Sequence, residues 1–147
     1  MRQSWFVVSI LLLGFVIPAW TFSDQPQAPK LSSAERNVIS EQIGKVKPAA
    51  DREVAKGWSN AKKVAEFICR PAALRSLSKQ DTSIDKVFLG TDDPATLALD
   101  STTRLRGTGQ YRKGDKWTDI EFVCDVDPDT GKVSSFQWTT IGSSGGQ

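Results

Sequence analysis

The chain has 147 residues, a formal net charge of +2, no histidine and two cysteines. The absence of histidine excludes imidazole general-base catalysis and histidine-ligated metal sites. Nucleic-acid binders normally carry a strong basic excess, so the near-balanced charge argues against that class of partner.

The N-terminal residues predict an export signal. One basic residue, Arg2, precedes an uncharged apolar run over residues 6–17, and smaller residues follow it, as in a signal peptide. Cleavage after Ser23 fits the small residues before it, and cleavage after Ala19 is an alternative. We therefore predict that residues 1–23 are a signal peptide and that the protein is exported.

The alternative for this segment is an uncleaved anchor. Residues 5–22 make up 18 residues, the lower end of the length that spans a bilayer. The short apolar core and the residues after it favour cleavage. Membrane contact is expected only through this segment, if it is retained.

The two cysteines, Cys69 and Cys124, are far apart in the sequence. In an oxidising compartment an isolated pair is typical of a structural disulfide, whereas redox-active pairs usually have the Cys-x-x-Cys spacing. We predict that they are bonded to each other.

Residues 24–33 are rich in Pro, Gln and Ser and predict a flexible linker. Ser32 and Glu35 fit a capping box at the start of a helix over residues 34–48. Its apolar stripe is thin, so this helix is predicted to be weakly attached.

A single α+β domain is predicted over residues 50–141, with a flexible tail over 142–147. From Asp51 the apolar residues recur every three or four positions, and Gly57 allows one helix or two abutting ones. Pro71 suits the first turn of a further short helix. The apolar face of this pattern comprises Val54, Trp58, Ala61, Val64, Ala65 and Ile68.

From Asp85 onward the period changes to two, which indicates strands. An alternating segment runs from Leu97 through Leu105 to Tyr111, a strong strand follows over residues 117–126, and the last covers 133–139. One hairpin is expected to place Arg112, Gly109, Gly107 and Leu105 opposite Trp117, Ile120, Phe122 and Cys124. The other is expected to place Ser134, Phe136 and Trp138 opposite Cys124, Phe122 and Ile120.

This register brings Gly107 and Gly109 to the same sheet face as Cys124. Glycine inside a strand often marks a close approach of another chain segment, here expected to be a helix. The predicted fold is therefore α+β, with N-terminal helices on one face of an antiparallel β-meander and one disulfide between the layers.

The charge is divided unevenly along the chain. Residues 30–79 hold 11 basic and 5 acidic residues, a net charge of +6, whereas residues from 80 onward hold 7 and 11, a net charge of −4. The simplest interpretation is that the two halves pack together and neutralise each other. A basic binding surface is the less favoured one.

Four residues are candidates for a surface contact: Arg104, Arg106, Arg112 and Trp117. Arg104 and Arg106 are expected on the solvated sheet face, opposite acidic residues. Arg112 beside Trp117 favours a cation–π contact over an anion-binding rim.

The acidic residues predict turns rather than catalytic or metal sites. Asp92-Asp93-Pro94 is a turn signal. Asp125, Asp127 and Asp129 have the spacing of a calcium loop, but Thr130 and Phe136 replace its sixth-position Gly and twelfth-position Glu. No catalytic residue, cofactor or metal site is predicted.

Three segments resemble the family catalogued as domain of unknown function 930: residues 62–74 (KKVAEFICRPAAL), 104–111 (RLRGTGQY) and 117–138. The resemblance extends over about residues 58–139. It implies a bacterial cell-envelope location and a paired cysteine, and it brings no known activity.

We therefore expect a non-enzymatic periplasmic or secreted module that binds an envelope protein or a small ligand. The alternatives are a carboxylate-based hydrolase of an envelope polymer and a secreted inhibitor or effector. A pocket holding two carboxylates, at least one with a raised pKa, would favour the hydrolase.

Overall fold

The computed structural model describes residues 28–142. The predicted signal peptide, residues 24–27 of the predicted linker and residues 143–147 of the predicted tail lie outside the described residues.

The first half of the described chain is helical. Its elements are α1 (Ser33–Lys45), α2 (Ala49–Lys56), α3 (Asn60–Val64), a π-helix (Ala65–Cys69) and α4 (Arg70–Gln80). The predicted capping box is present, since the Ser32 hydroxyl accepts from the Glu35 amide while the Glu35 carboxylate accepts from the Ser32 amide.

Pro71 lies in the first turn of α4, as predicted, but α4 continues the preceding helix instead of standing apart from it. Residues 60–80 run without a break, and Pro71 lies directly after the π-helix, where the Arg70 amide donates to the carbonyl of Ala65, five residues back. A proline within a helix removes one i→i−4 bond and crowds the preceding turn. The wider π turn is one of the ways in which a helix departs from regular α geometry at such a position.

The second half forms one five-stranded antiparallel sheet. Its strands are β1 (Ile84–Leu89), β2 (Leu97–Ser101), β3 (Arg104–Lys113), β4 (Lys116–Asp127) and β5 (Lys132–Gly142). β4 pairs with β3 on one side and β5 on the other, while β1 and β2 share the remaining side of β3. The alternating segment predicted from Leu97 to Tyr111 is thus two strands of a hairpin, because the chain turns at Thr102 and Thr103.

The predicted pairing of β3 with β4 is confirmed, including Leu105 opposite Cys124 and Arg112 opposite Trp117. The pairing of β4 with β5 was predicted two residues out of register, since Phe136 and Trp138 lie opposite Cys124 and Phe122. The loop between β4 and β5 is one residue shorter than expected, which accounts for one residue of the shift. A bulge in β5 beside Asp125 accounts for the other. A shift of two keeps each side chain on its predicted face.

The prediction that the β3 glycines make room for one of the N-terminal helices is wrong, because the backbone of β1 and of the residue just before β2 occupies that space. A Cβ built on Gly107 would lie 2.3 Å from the Thr96 carbonyl oxygen, and one on Gly109 would lie 2.5 Å from that of Phe88. The partner of β3 changes from β1 to β2 at these two residues. Glycine is required because both flanking strands lean over β3 at this change.

The disulfide joins the two layers as predicted. Cys69 ends the π-helix, Cys124 lies on the inner face of β4, and both are fully buried with their Cα atoms 6.2 Å apart. The fold is α+β, with the helices N-terminal to an antiparallel sheet and the disulfide between them. The core around it contains Val64, Ala65, Ala73, Leu77, Leu89, Leu105, Phe122 and Val126.

The structure also corrects the predicted start of the folded body. Leu31 is buried, and the carbonyls of Pro29 and Lys30 accept hydrogen bonds from Asn60 and Thr102, so the end of the predicted linker is held against the domain. The helix predicted as weakly attached buries Glu35, Ile39 and Ile43. The few apolar residues of α1 are enough to attach it to the domain, because they point toward the core.

The apolar face predicted from Asp51 onward also needs one correction. Val54 is 62% exposed, and its neighbour Ala55 is buried instead. α2 ends at Lys56, so the spacing that continues from Val54 to Trp58 does not belong to one helix.

We predict that reduction of the disulfide lowers the free energy of unfolding by about 4 kcal/mol, the chain-entropy estimate for a loop of 55 residues. Urea unfolding of the oxidised and reduced protein measures this difference. Identical midpoints, or two titratable thiols in protein taken from its native compartment, would contradict the pairing.

We predict that Gly109→Ala lowers stability by about 1–3 kcal/mol, because the added methyl meets backbone that cannot move aside independently. Gly44→Ala in α1 is the matched control: its Cβ would meet no atom within 4 Å, so it is expected to raise stability by roughly 0.5–1 kcal/mol. Thermal unfolding of both variants tests the opposite signs.

Candidate functional site

A strongly charged concavity lies within the helical layer of the described residues, and we call it the basic helical pocket. It has a volume of about 660 Å³ and is lined by five cationic side chains without an acidic one. The lining comprises Lys30, Leu31, Arg36, Ile39, Ser40, Ile43, Gly44, Arg52, Lys56, Asn60 and Lys63.

Helical spacing explains how these residues meet. The five lining residues of α1, from Arg36 to Gly44, recur every three or four positions and so share one face about 12 Å long. Arg52 and Lys56 are four apart on α2, and Asn60 and Lys63 are three apart on α3. Lys30 and Leu31 close the pocket because the Asn60 amide holds the preceding carbonyl.

Most of the charge in this pocket is uncompensated. Lys56 is ion-paired with Glu53 at 2.7 Å, whereas Lys30, Arg36, Arg52 and Lys63 form no ion pair within residues 28–142. Arg36 donates to the Leu31 carbonyl and the Ser33 hydroxyl, and Arg52 donates to the Val46 carbonyl. These neutral acceptors orient the two guanidinium groups without cancelling their charge.

The expected neutralisation between the two halves of the chain does not take the form of ion pairs. Seven ion pairs occur among the described residues; three join residues of the helical half and four join residues of the sheet half. The interface between the layers is apolar and disulfide-bonded instead. The helical half therefore keeps its excess positive charge at its own surface. The sequence analysis had favoured neutralisation between the two halves over a basic surface.

The four predicted surface-contact residues lie on the outer sheet face, with Arg104 and Arg112 near opposite ends of β3. Each arginine there has a carboxylate partner: Arg104 pairs with Asp125 at 2.7 Å, Arg106 with Asp100 at 2.7 Å, and Arg112 with Asp85 at 2.6 Å. Trp117 lies opposite Arg112. Their role in a contact stays a prediction.

The predicted cation–π contact is present at the edge of this face. The Arg112 guanidinium lies 5.7 Å from the centre of the Trp117 ring, and Phe88 stacks on that ring at 5.4 Å. Lys86 in turn lies over Phe88. This row of stacked side chains extends from β1 to β4, and the Arg112 guanidinium is already engaged within it.

The neighbouring carboxylates of Asp81 and Asp85 are both engaged in ion pairs. The Lys113 ammonium and the Ser83 hydroxyl and amide lower the pKa of Asp81 well below its ordinary value. Arg112 lowers the pKa of Asp85 in the same way. A general acid needs a raised pKa, so this pair lacks the electrostatics of that role.

Asp93 and Asp127 lie in the segments predicted as turns. The Asp93 carboxylate accepts from the Ala95 amide and caps a 3₁₀ helix, Pro94–Thr96. The Asp127 carboxylate accepts from the Asp129 amide in the β4–β5 turn. Within residues 28–142 no three acidic or cysteine side chains gather as metal ligands.

A family model described as Domain of Unknown Function (DUF930) matches residues 59–144. The chain belongs to this family. The matched segment begins at Ser59, the N-cap of α3, and contains both cysteines and the whole sheet. No curated protein and no solved structure matches the chain.

The family segment supplies only part of the basic helical pocket. Asn60 and Lys63 belong to it, whereas the remaining lining residues precede it on α1, α2 and the segment before α1. The pocket thus forms where two additional helices pack on the family domain. In the described part of the chain, no helix is both long and apolar enough to cross a membrane.

We predict that the ion pairs make stability fall in acid. The folded-state pKa of Asp85 is lowered, so its contribution is complete above the ordinary value near 3.8 and is lost as the pH falls further. Urea midpoints at pH 5 and pH 2.5 should differ less in Asp85→Asn than in the unmodified protein. Asp92→Asn, an exposed turn variant, should keep the full difference; equal losses in all three proteins would contradict the assignment.

Proposed function

We propose that this protein is an exported, non-enzymatic binding module of the bacterial cell envelope, and that it holds an anionic partner in the basic helical pocket. The observation that carries this proposal is the set of four cations without ion-pair partners around one pocket. Such a set attracts negative charge, and that attraction weakens as salt is added.

The geometry of the pocket supports binding rather than a diffuse surface charge. Leu31, Ile39 and Ile43 are buried and line the pocket together with the cationic side chains, so it combines an apolar surface with charged groups. Concave sites of a few hundred cubic ångströms with few polar groups are typical of ligand-binding sites. Arg36 and Arg52 are already oriented by neutral acceptors, which lowers the entropy lost on binding.

The disulfide and the N-terminal sequence support export. A buried disulfide that connects the two layers is expected to persist in an oxidising compartment. The apolar run over residues 6–17 has the composition of a signal-peptide core. We infer a periplasmic or secreted location from the two together.

Photo-crosslinking in the native host tests the proposal. A photoreactive phenylalanine analogue replaces Ser40, an exposed lining residue of α1, and the matched control replaces Gln137, which is exposed on the outer sheet face. We expect a discrete adduct from position 40 that is weak or absent from position 137, and mass spectrometry then identifies its chemical class.

Two variants distinguish the effect of the pocket's charge from the effect of its open volume in this experiment. Lys30→Glu with Lys63→Glu reverses two unpaired cations, whereas Gly44→Leu fills the pocket without altering charge, at a position where the added side chain meets open space. Each should remove most of the adduct at position 40 while leaving the unfolding midpoint near that of the unmodified protein. An adduct that persists in both folded variants overturns the proposal.

A further inference from the structure

We propose that the partner of the basic helical pocket is the phosphodiester headgroup of an anionic membrane phospholipid. This inference rests on the proposed function and names its ligand class. It assigns the helical layer as the side of the protein that faces a membrane surface.

The first support is the separation of charge across the molecule. The half that contains the helices has a net charge of +6, the half that contains the sheet has −4, and each ion pair of the described residues stays within one half. A body with this asymmetry is turned by an anionic surface so that its positive side approaches and its negative side points away. An isolated anion in solution would not need this overall polarity.

The second support is the position of the pocket along the chain. Lys30 and Leu31, which close it, follow the apolar run of residues 6–17 by only a dozen residues. A dozen residues extend over at most about 40 Å. Until the predicted cleavage removes residues 1–23, the membrane-directed segment therefore holds the wall of this pocket within that distance of the membrane.

The third support is the chemistry of the lining. A phosphodiester offers charged oxygens to Arg36, Arg52 and the two lysines, and Ser40 and Asn60 add neutral polar groups. Arginine is suited to phosphate because its planar fork donates two parallel hydrogen bonds.

Vesicle sedimentation of the full chain tests this inference. The probes are vesicles of phosphatidylcholine alone and vesicles with 30% phosphatidylglycerol, and the readout is the ratio of the two partition coefficients. Binding through the apolar N-terminal run contributes equally to both partition coefficients and therefore cancels in their ratio. We expect a clear preference for phosphatidylglycerol that weakens with added salt.

Lys30→Glu with Lys63→Glu should reduce the preference by about 30-fold or more, since each basic residue near an anionic surface contributes about a factor of five. The matched control, Lys86→Glu with Lys116→Glu, changes net charge equally but lies on β1 and at the β3–β4 hairpin, and it should retain most of the preference. An equal loss in both double variants would mean nonspecific attraction and overturn the inference.

A footprint on the unmodified chain provides an independent readout. Acetylation of Lys30 and Lys63 should slow in the presence of phosphatidylglycerol vesicles, while acetylation of Lys86 and Lys116 should not. Absence of both preference and protection overturns the lipid assignment. If a protein adduct then still forms at position 40 and is lost in Gly44→Leu, the proposed function stands with an acidic protein as its partner.

Discussion

The bond between Cys69 and Cys124 is the constraint around which the two layers are arranged. It joins the end of a π-helix to the inner face of β4, which pairs with β3 on one side and β5 on the other, and neither cysteine is exposed to solvent. Each layer alone would leave one apolar surface uncovered, and the bond fixes which helix covers which strand. Val64, Ala65 and Leu105 belong to the buried core that surrounds it.

The crowding beside β3 is the second feature that shapes the sheet. Leu89 and Leu97 pair with Gly109 and Gly107, so β1 ends and β2 begins next to the same short stretch of backbone. Only residues without a Cβ allow the carbonyls of these strands to approach so closely. The sheet is therefore four strands wide although it contains five strands, because β1 and β2 share one side of β3.

The apolar interface between the layers limits which charged side chains can form ion pairs with each other. Because few polar groups meet across it, the acidic residues of the sheet half form ion pairs with their own neighbouring basic residues, as Asp85 does with Arg112. The lysines and arginines of the helical half outnumber its acids, and helical spacing collects several of them at one pocket. The fold thus separates charge that the sequence as a whole nearly balances, and the proposed binding site arises from that separation.

The sequence by itself determined the elements that depend on local spacing and pairing. The capping box at Ser32, the β3–β4 register and the disulfide follow from residues that interact along one strand, one helix turn or one covalent bond. The bulge in β5 and the π-helix before Pro71 were not predictable, because a single added residue in a ladder or a turn costs little locally and is decided by packing.

Tertiary structure alone decided where the charges meet. Arg36, Arg52 and Lys63 are far apart in the sequence, and each would be an ordinary solvated residue on an isolated helix. Their convergence depends on the way α1 packs against α2 and α3, which no periodicity of the sequence encodes. The signal in the sequence was the +6 charge of the helical half, and only the folded arrangement distinguished a concentrated site from charge spread over a surface.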